Sequence, residues 1–152
     1  VAQENIKIAA LIGLLFTTGL WLTQISGLKV KDIHLQSREL SIKGANTNFR
    51  QIHPLIHQVL HEYLVRRQAE TAMFLFKDDA GKPISPDFIR KQVRDITCQA
   101  GLKSVTVRIF QHTCAKRISD KEGPLRAFFI WGAKKATTIL MPTRMQNLNF
   151  HP

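Results

Sequence analysis

Residues 18–28 read TGLWLTQISGL, with glycines at positions 19 and 27. Glycine favours the left-handed conformation that commonly follows a helix, so we expect a helix to end at Gly19. The preceding segment, Ile6–Thr18, is apolar almost all round, which is typical of a buried helix. Leu20–Ser26 is predicted to form a second, short helix that ends before Gly27. The sequence therefore predicts two helices joined by a tight turn.

Three segments after this stretch alternate apolar and polar residues, which is the pattern of strands with one buried face. They are Val30–Leu35, Glu39–Lys43 and Phe49–His53. Turn-forming residues at 36–38 and 44–46 separate the segments. The sequence therefore predicts a three-stranded antiparallel sheet.

Helices are predicted again after the sheet. Pro54 opens one helix, and Ser85-Pro86-Asp87 opens another that ends at Gly101. Further helices are expected over 107–119 and 124–131. We expect a mostly α fold with a small three-stranded antiparallel β-sheet (class α+β), and we expect residues 1–152 to form a single domain.

The composition favours a polyanionic partner. Lysine and arginine total 22 against 11 acidic residues, which gives a formal net charge of +11. Self-repulsion at this charge opposes folding, and binding to DNA, RNA or an anionic membrane would relieve it. The hydrophobic content of 44% excludes a disordered chain. A basic protein without a nucleic acid partner is the less favoured alternative.

Two cysteines, Cys98 and Cys114, are too few and too far apart for a structural zinc site or a disulfide framework, and they suit a reducing compartment. The longest apolar stretch, Ile8–Leu22, is too short and too interrupted for a membrane span, and no basic signal-peptide segment precedes it. We therefore expect no membrane partner and a DNA-associated protein of the bacterial cytoplasm. Val1 is not an initiator methionine, so a missing upstream segment is an open alternative.

Several short motifs follow residues 18–28 in a fixed order. They are KDIHL (31–35), SIKG (41–44), RQIHPL (50–55), RIFQHTCA (108–115), WGA (131–133) and TTILM (137–141). In order and spacing they resemble the catalytic domain of tyrosine recombinases of the phage integrase type, over about residues 5–145. The family patterns at these places are T-G-L-R-x-S-E-L-x-G-L, D-I-D-L, G-K-G, R-x-V-P-L, H-x-L-R-H-x-x-A, L-G-H and T-T-x-x-Y.

The resemblance implies a cleavage site that has lost most of its groups. Family members attack a DNA phosphodiester with a tyrosine hydroxyl, and arginines stabilise the extra negative charge. At the matching positions this chain has Trp21 and Gln111 for the two arginines, Arg108 and Ala133 for two histidines, Met141 for the tyrosine, and Lys43 for the lysine. We therefore assign no catalytic residue. The only tyrosine, Tyr63, is far from the nucleophile segment, and His112 matches a second family histidine with an expected buried, hydrogen-bonded role.

The basic residues remain available for DNA, which recombinase folds hold mainly through phosphate contacts. Arg90, Lys91 and Arg94 share one helix face and are the main candidates, although a solvated face is the alternative. For Trp21, core packing is favoured over a base-stacking platform. The candidate DNA-binding residues are Lys43, Arg50, Arg90, Lys91, Arg94, Arg108, Lys116, Arg117, Lys134 and Lys135.

No metal or cofactor is predicted. His53, His57 and His61 recur every four residues, but the proline after His53 biases that residue away from helical geometry. Only two imidazoles then share a helix face, so a solvated face is favoured over a metal site.

Three functions follow from these observations. The first, which we predict, is a DNA-binding member of the family that does not cleave DNA and acts in recombination, integration or its regulation. The second is an active site-specific recombinase with shifted or trans-supplied catalytic residues. The third is an interaction module that recruits another recombinase subunit or self-associates.

Overall fold

The computed structural model describes residues 2–43, 48–68, 70–102 and 105–125. The described residues form a three-stranded antiparallel sheet in which the second strand along the chain is central. This arrangement confirms the expected mostly helical fold with a small antiparallel sheet. The elements in chain order are α1 (Ala2–Thr18), α2 (Leu22–Gly27), a 3₁₀ turn (Val30–Asp32), β1 (Ile33–His34), β2 (Glu39–Ile42), β3 (Asn48–Gln51), α3 (Pro54–Arg66), α4 (Pro86–Gln99) and α5 (Val107–Glu122).

Helix α1 lies at the centre of the core, as its apolar sequence predicts. Leu11, Leu14 and Leu15 are fully buried, and the helix packs against both α3 and α5. Gly13 permits the close approach of α3, because a Cβ atom there would lie 2.4 Å from Ile56 Cδ1. The helix ends at Gly19, which has a φ of 63°. The left-handed conformation at this glycine turns the chain into α2.

The first predicted strand, Val30–Leu35, is wrong over its first half. The Asp32 carboxylate accepts the backbone N–H of Lys29 at 2.8 Å and holds a 3₁₀ turn. The N–H groups of Val30 and Lys31 donate to distant carbonyls of residues 73 and 71 at 2.9 and 3.1 Å. These bonds replace a sheet ladder, so only Ile33–His34 pairs with β2. The other boundaries differ from the predictions by a few residues, as ends of elements commonly do.

Helix α4 follows its sequence signals closely. The Ser85 hydroxyl accepts the N–H of Phe88 at 3.1 Å, which caps the first turn. Ile89 and Val93 are buried, whereas Arg90 and its basic neighbours face outward. The helix therefore presents a basic surface on one side and an apolar surface to the core.

The helix expected over 124–131 is described only for its first two residues, which are helical; the rest of it lies outside the described residues. Across the described ranges, no helix combines the length and apolar character needed to cross a membrane.

Candidate nucleic-acid interface

The two positions at which the resemblance implies arginines meet at the turn between α1 and α2. Gln111 on α5 is only 5% exposed, and its Nε2 donates to the Leu20 carbonyl at 3.2 Å. Leu20 directly precedes Trp21, which is half-buried and lies at the N-cap of α2. The backbone N–H of Trp21 donates to Gln24 Oε1 at 2.9 Å. Trp21 and Gln111 therefore lie together, and the Gln111 amide is directed at the backbone.

Two further side chains of α5 bind the C-terminal end of α1. The Cys114 thiol donates to the Thr17 carbonyl at 3.3 Å, and Arg117 Nη2 donates to the same oxygen at 3.1 Å. The last carbonyls of a helix lack intrahelical partners and carry partial negative charge, which suits a guanidinium donor. Burial raises the pKa of the Cys114 thiol, and the charge of Arg117 opposes that rise. Arg117 is a predicted DNA contact that already has this structural role.

Replacing Gln111 with alanine is expected to lower the free energy of unfolding by about 1–3 kcal/mol, because a buried carbonyl loses its donor. Urea denaturation followed by circular dichroism measures the change. The matched control is Gln58→Ala at an exposed position of α3, where a change within about 0.5 kcal/mol is expected. Equal losses in both variants would contradict a structural role for the Gln111 amide.

Lys43 and Arg108 border two different cavities. Lys43 is exposed after β2 and lines a cavity of about 230 Å³ together with Thr23 and Gln24 of α2. Arg108 is exposed in the first turn of α5, and its Nε donates to His112 Nε2 at 3.3 Å. This bond requires that Nε2 of the imidazole carries no proton. His112 is half-buried, so its predicted hydrogen-bonded role is observed with less burial than expected.

The basic face of α4 adjoins the start of α5. Arg90, Lys91 and Arg94 are all exposed. Arg90 pairs with Asp87, and Arg94 Nε lies 4.0 Å from Asp95 Oδ1. Such exposed ion pairs contribute little to stability, so a phosphate group can replace the carboxylate beside either arginine. Arg90 and Arg94 border a cavity of about 700 Å³, which we call the α4–α5 groove. The residues that line it are Arg90, Arg94, Thr97, Cys98, Gly101, Leu102, Val105, Thr106, Val107 and Arg108.

Two further predicted DNA contacts that the structure describes, Arg50 and Lys116, do not line this groove. Arg50 is only 8% exposed on β3. The alternation of the strand indicates this burial, because Arg50 lies on the same face as Ile52, which is 3% exposed. Lys116 is exposed and forms an ion pair with Asp120 at 2.8 Å. Ala133, Lys134, Lys135 and Met141 lie outside the described residues.

Tyr63 has a structural environment. Its hydroxyl donates to the Leu75 carbonyl at 3.1 Å and accepts from Arg67 Nη1 at 2.9 Å. The ring is 3% exposed and stacks on Phe76. Burial raises the pKa of the phenol, against the lowering effect of Arg67. The buried hydroxyl therefore connects α3 to the segment that leads into α4.

The histidines around α3 also have backbone partners. His53 Nδ1 accepts the N–H of Leu55 at 3.3 Å, and His57 Nε2 lies 2.8 Å from the Leu35 carbonyl. In the part of the chain that the structure describes, no group of three His, Cys, Asp or Glu side chains could hold a metal ion.

Known proteins share both the sequence pattern and the fold. A tyrosine recombinase of Agathobacter rectalis is 25% identical over 130 residues, which is 82% of this chain and 42% of that protein. The XerA recombinase crystal structure superposes with a TM-score of 0.79 at 21% identity, covering 91% of this chain and 51% of that one. The XerH site-specific recombinase bound to difH substrate, a pre-cleavage complex, gives a TM-score of 0.75 at 22% identity, covering 91% and 43%.

The matching region is a part of these longer proteins, because the chain spans less than half of the Agathobacter rectalis relative and about half of the XerA chain. At this level of identity the solved structures establish the shared fold. The sequence profile described as the Phage integrase family matches residues 2–128, which is most of the chain. The chain therefore belongs to the phage integrase family.

Proposed function

We propose that this chain binds duplex DNA and does not cleave it. One observation supports the binding: Arg90, Arg94 and Arg108, from two helices, border one concave groove. Guanidinium groups bind phosphate oxygens through paired hydrogen bonds, and neutralising phosphates releases condensed counterions. The formal charge of +11 favours the same partner. XerH, a site-specific recombinase of similar fold, has been solved bound to its difH substrate, which is consistent with DNA as the ligand.

The proposed absence of cleavage rests on the turn between α1 and α2. Trp21 has no charge to stabilise a phosphorane, and the Gln111 amide is already bonded to the Leu20 carbonyl. Losing one preorganised donor raises a barrier by roughly 3 kcal/mol, which is a rate decrease of about a hundredfold or more. Replacing both arginine positions is therefore expected to bring cleavage below detection, even if a partner subunit supplies a tyrosine.

These properties suit a non-cleaving partner in DNA recombination, integration or its regulation. The chain would occupy a recombinase site, alone or beside an active subunit, without breaking a strand. The main rival is an active recombinase whose catalytic residues are shifted or supplied in trans. A module that only recruits another recombinase is the remaining alternative.

A nicked suicide substrate tests the proposal against an active enzyme. Such a substrate traps a covalent protein–DNA adduct, which a denaturing gel detects as a slower band. We expect no adduct under conditions in which an active tyrosine recombinase on its own site gives one. An adduct with this chain would establish the active rival.

Duplex binding across a salt series tests the proposal against the recruitment module. We expect fluorescence anisotropy of a labelled duplex to show binding that weakens steeply between about 50 and 200 mM salt, because phosphate contacts dominate the affinity. Absent binding, or binding that salt does not change, would favour the module.

A further inference from the structure

The α4–α5 groove has apolar walls that phosphate binding does not use. Its volume of about 700 Å³ lies in the range of about 300–1,000 Å³ that is usual for ligand pockets. Leu102, Val105 and Val107 contribute aliphatic side chains to the lining. Leu102 is 54% exposed and follows Gly101 in the turn that ends α4. The groove therefore offers aliphatic surface to a ligand.

The rim of the groove is cationic. Arg90, Arg94 and Arg108 supply three guanidinium groups, and none of the described lining residues is acidic. The side chains of Arg90 and Arg94 are 60% and 75% exposed. Their neighbouring carboxylates are also solvent-exposed, so a ligand carboxylate that binds bidentately can displace them. The rim therefore selects for negative charge.

Duplex DNA provides anions for the arginines of the rim, but it offers little aliphatic surface to the walls, because thymine methyl groups are its main apolar groups within the grooves. A ligand that satisfies both must combine carboxylates with aliphatic side chains. Exposed apolar surface bordered by polar residues is typical of protein-interaction sites. An amphipathic helix with apolar anchors three and four residues apart, flanked by acidic residues, has this combination.

We propose that the α4–α5 groove binds an acidic, leucine-bearing helical segment of a partner protein. The apolar anchors pack on Leu102, Val105 and Val107, and the carboxylates bind the three arginines. Because the same arginines are the proposed phosphate contacts, the segment and DNA exclude one another. This competition rests on the proposed function, whereas occupation of the groove by the segment does not.

The probe is a fluorescein-labelled helical peptide of about 16 residues, a length at which an isolated helix begins to be stable. It carries leucines at three- and four-residue spacing, three glutamates beside the leucine face and alanines elsewhere, so that charge repulsion does not unfold the helix. A control peptide has glutamine at every leucine position, so both peptides have equal charge. We expect the leucine peptide to bind the full chain about tenfold more tightly at about 0.15 M salt, where screening weakens purely electrostatic attraction.

Two variants locate the site. Leu102→Gln is expected to weaken binding of the leucine peptide about fivefold and to weaken duplex binding much less, since it removes aliphatic surface and no charge. Leu55→Gln makes the same change at a residue that is 64% exposed and outside the groove, and it should change neither measurement. The unlabelled leucine peptide should displace a labelled duplex from the wild-type chain.

Equal binding of the two peptides, no binding of either, or an unaltered Leu102→Gln variant would overturn the groove assignment. Leucine-peptide binding that leaves duplex occupancy unchanged would overturn the shared use of the arginines. Duplex titration without peptide is read separately: if it shows no binding while the peptides are still discriminated, the proposed function fails and the groove assignment stands.

Discussion

Replacing Arg90, Lys91 and Arg94 together with glutamine is expected to weaken duplex binding on the order of a hundredfold at about 0.1 M salt. Each phosphate contact contributes about 0.9 to the slope of log affinity against log salt, so losing three contacts lowers the slope by almost 3. The three side chains are exposed on α4, so the substitution should leave the fold intact. Anisotropy titrations of a labelled duplex at several salt concentrations measure both quantities.

A control with the same loss of charge separates local contacts from general attraction. Arg66, Lys82 and Lys121 are exposed and lie outside the α4–α5 groove. Changing these three to glutamine also lowers the formal charge by three, but it should weaken binding only severalfold, through the long-range field. Equal losses in the two triple variants would show that the chain has no localised DNA site on α4.

Leu14→Ala is expected to lower the free energy of unfolding by about 3–5 kcal/mol, the usual result of truncating a fully buried leucine. Leu14 has no exposed surface on a helix that packs against both α3 and α5. Domains of this size are commonly stable by only about 5–15 kcal/mol, so the variant is expected to lose a large part of its stability. The urea midpoint should fall, with an unchanged dependence on denaturant concentration.

Leu55→Ala is the control for this experiment, because Leu55 is 64% exposed at the start of α3. A change within about 0.5 kcal/mol is expected there. If Leu14→Ala shifted the midpoint no more than this control, α1 would not be the centre of the core.

Local signals in the sequence were sufficient for α4. Ser85 and Pro86 mark its start, and the spacing of Ile89 and Val93 identifies its buried face. Each of these signals determines the structure only within a few residues of its own position, so the rest of the fold does not have to be known to interpret it. The same holds for the end of α1, where Gly19 alone supplies the required conformation.

Two features could not be predicted from the sequence because they depend on contacts between residues that are far apart along the chain. The residue pattern identified Gln111 as a neutral replacement, but its target carbonyl belongs to Leu20, which is 91 positions away. Val30 and Lys31 are not part of a strand, because their backbone N–H groups bond to the carbonyls of residues 73 and 71. Arg50 is a different case, because the local alternation of β3 already indicates an inward position and only its charge favours a surface contact.

The hydrogen bonds from α5 to the end of α1 and the following turn affect local unfolding of the protein. Gln111, Cys114 and Arg117 each bind a carbonyl of Thr17 or Leu20, so neither helix can separate from this turn without breaking all three bonds. Regions tied in this way unfold as one cooperative unit. We therefore expect amide hydrogens of the α1 terminus and of central α5 to show similar protection in a hydrogen-exchange experiment, although the two segments are about 90 positions apart in the sequence.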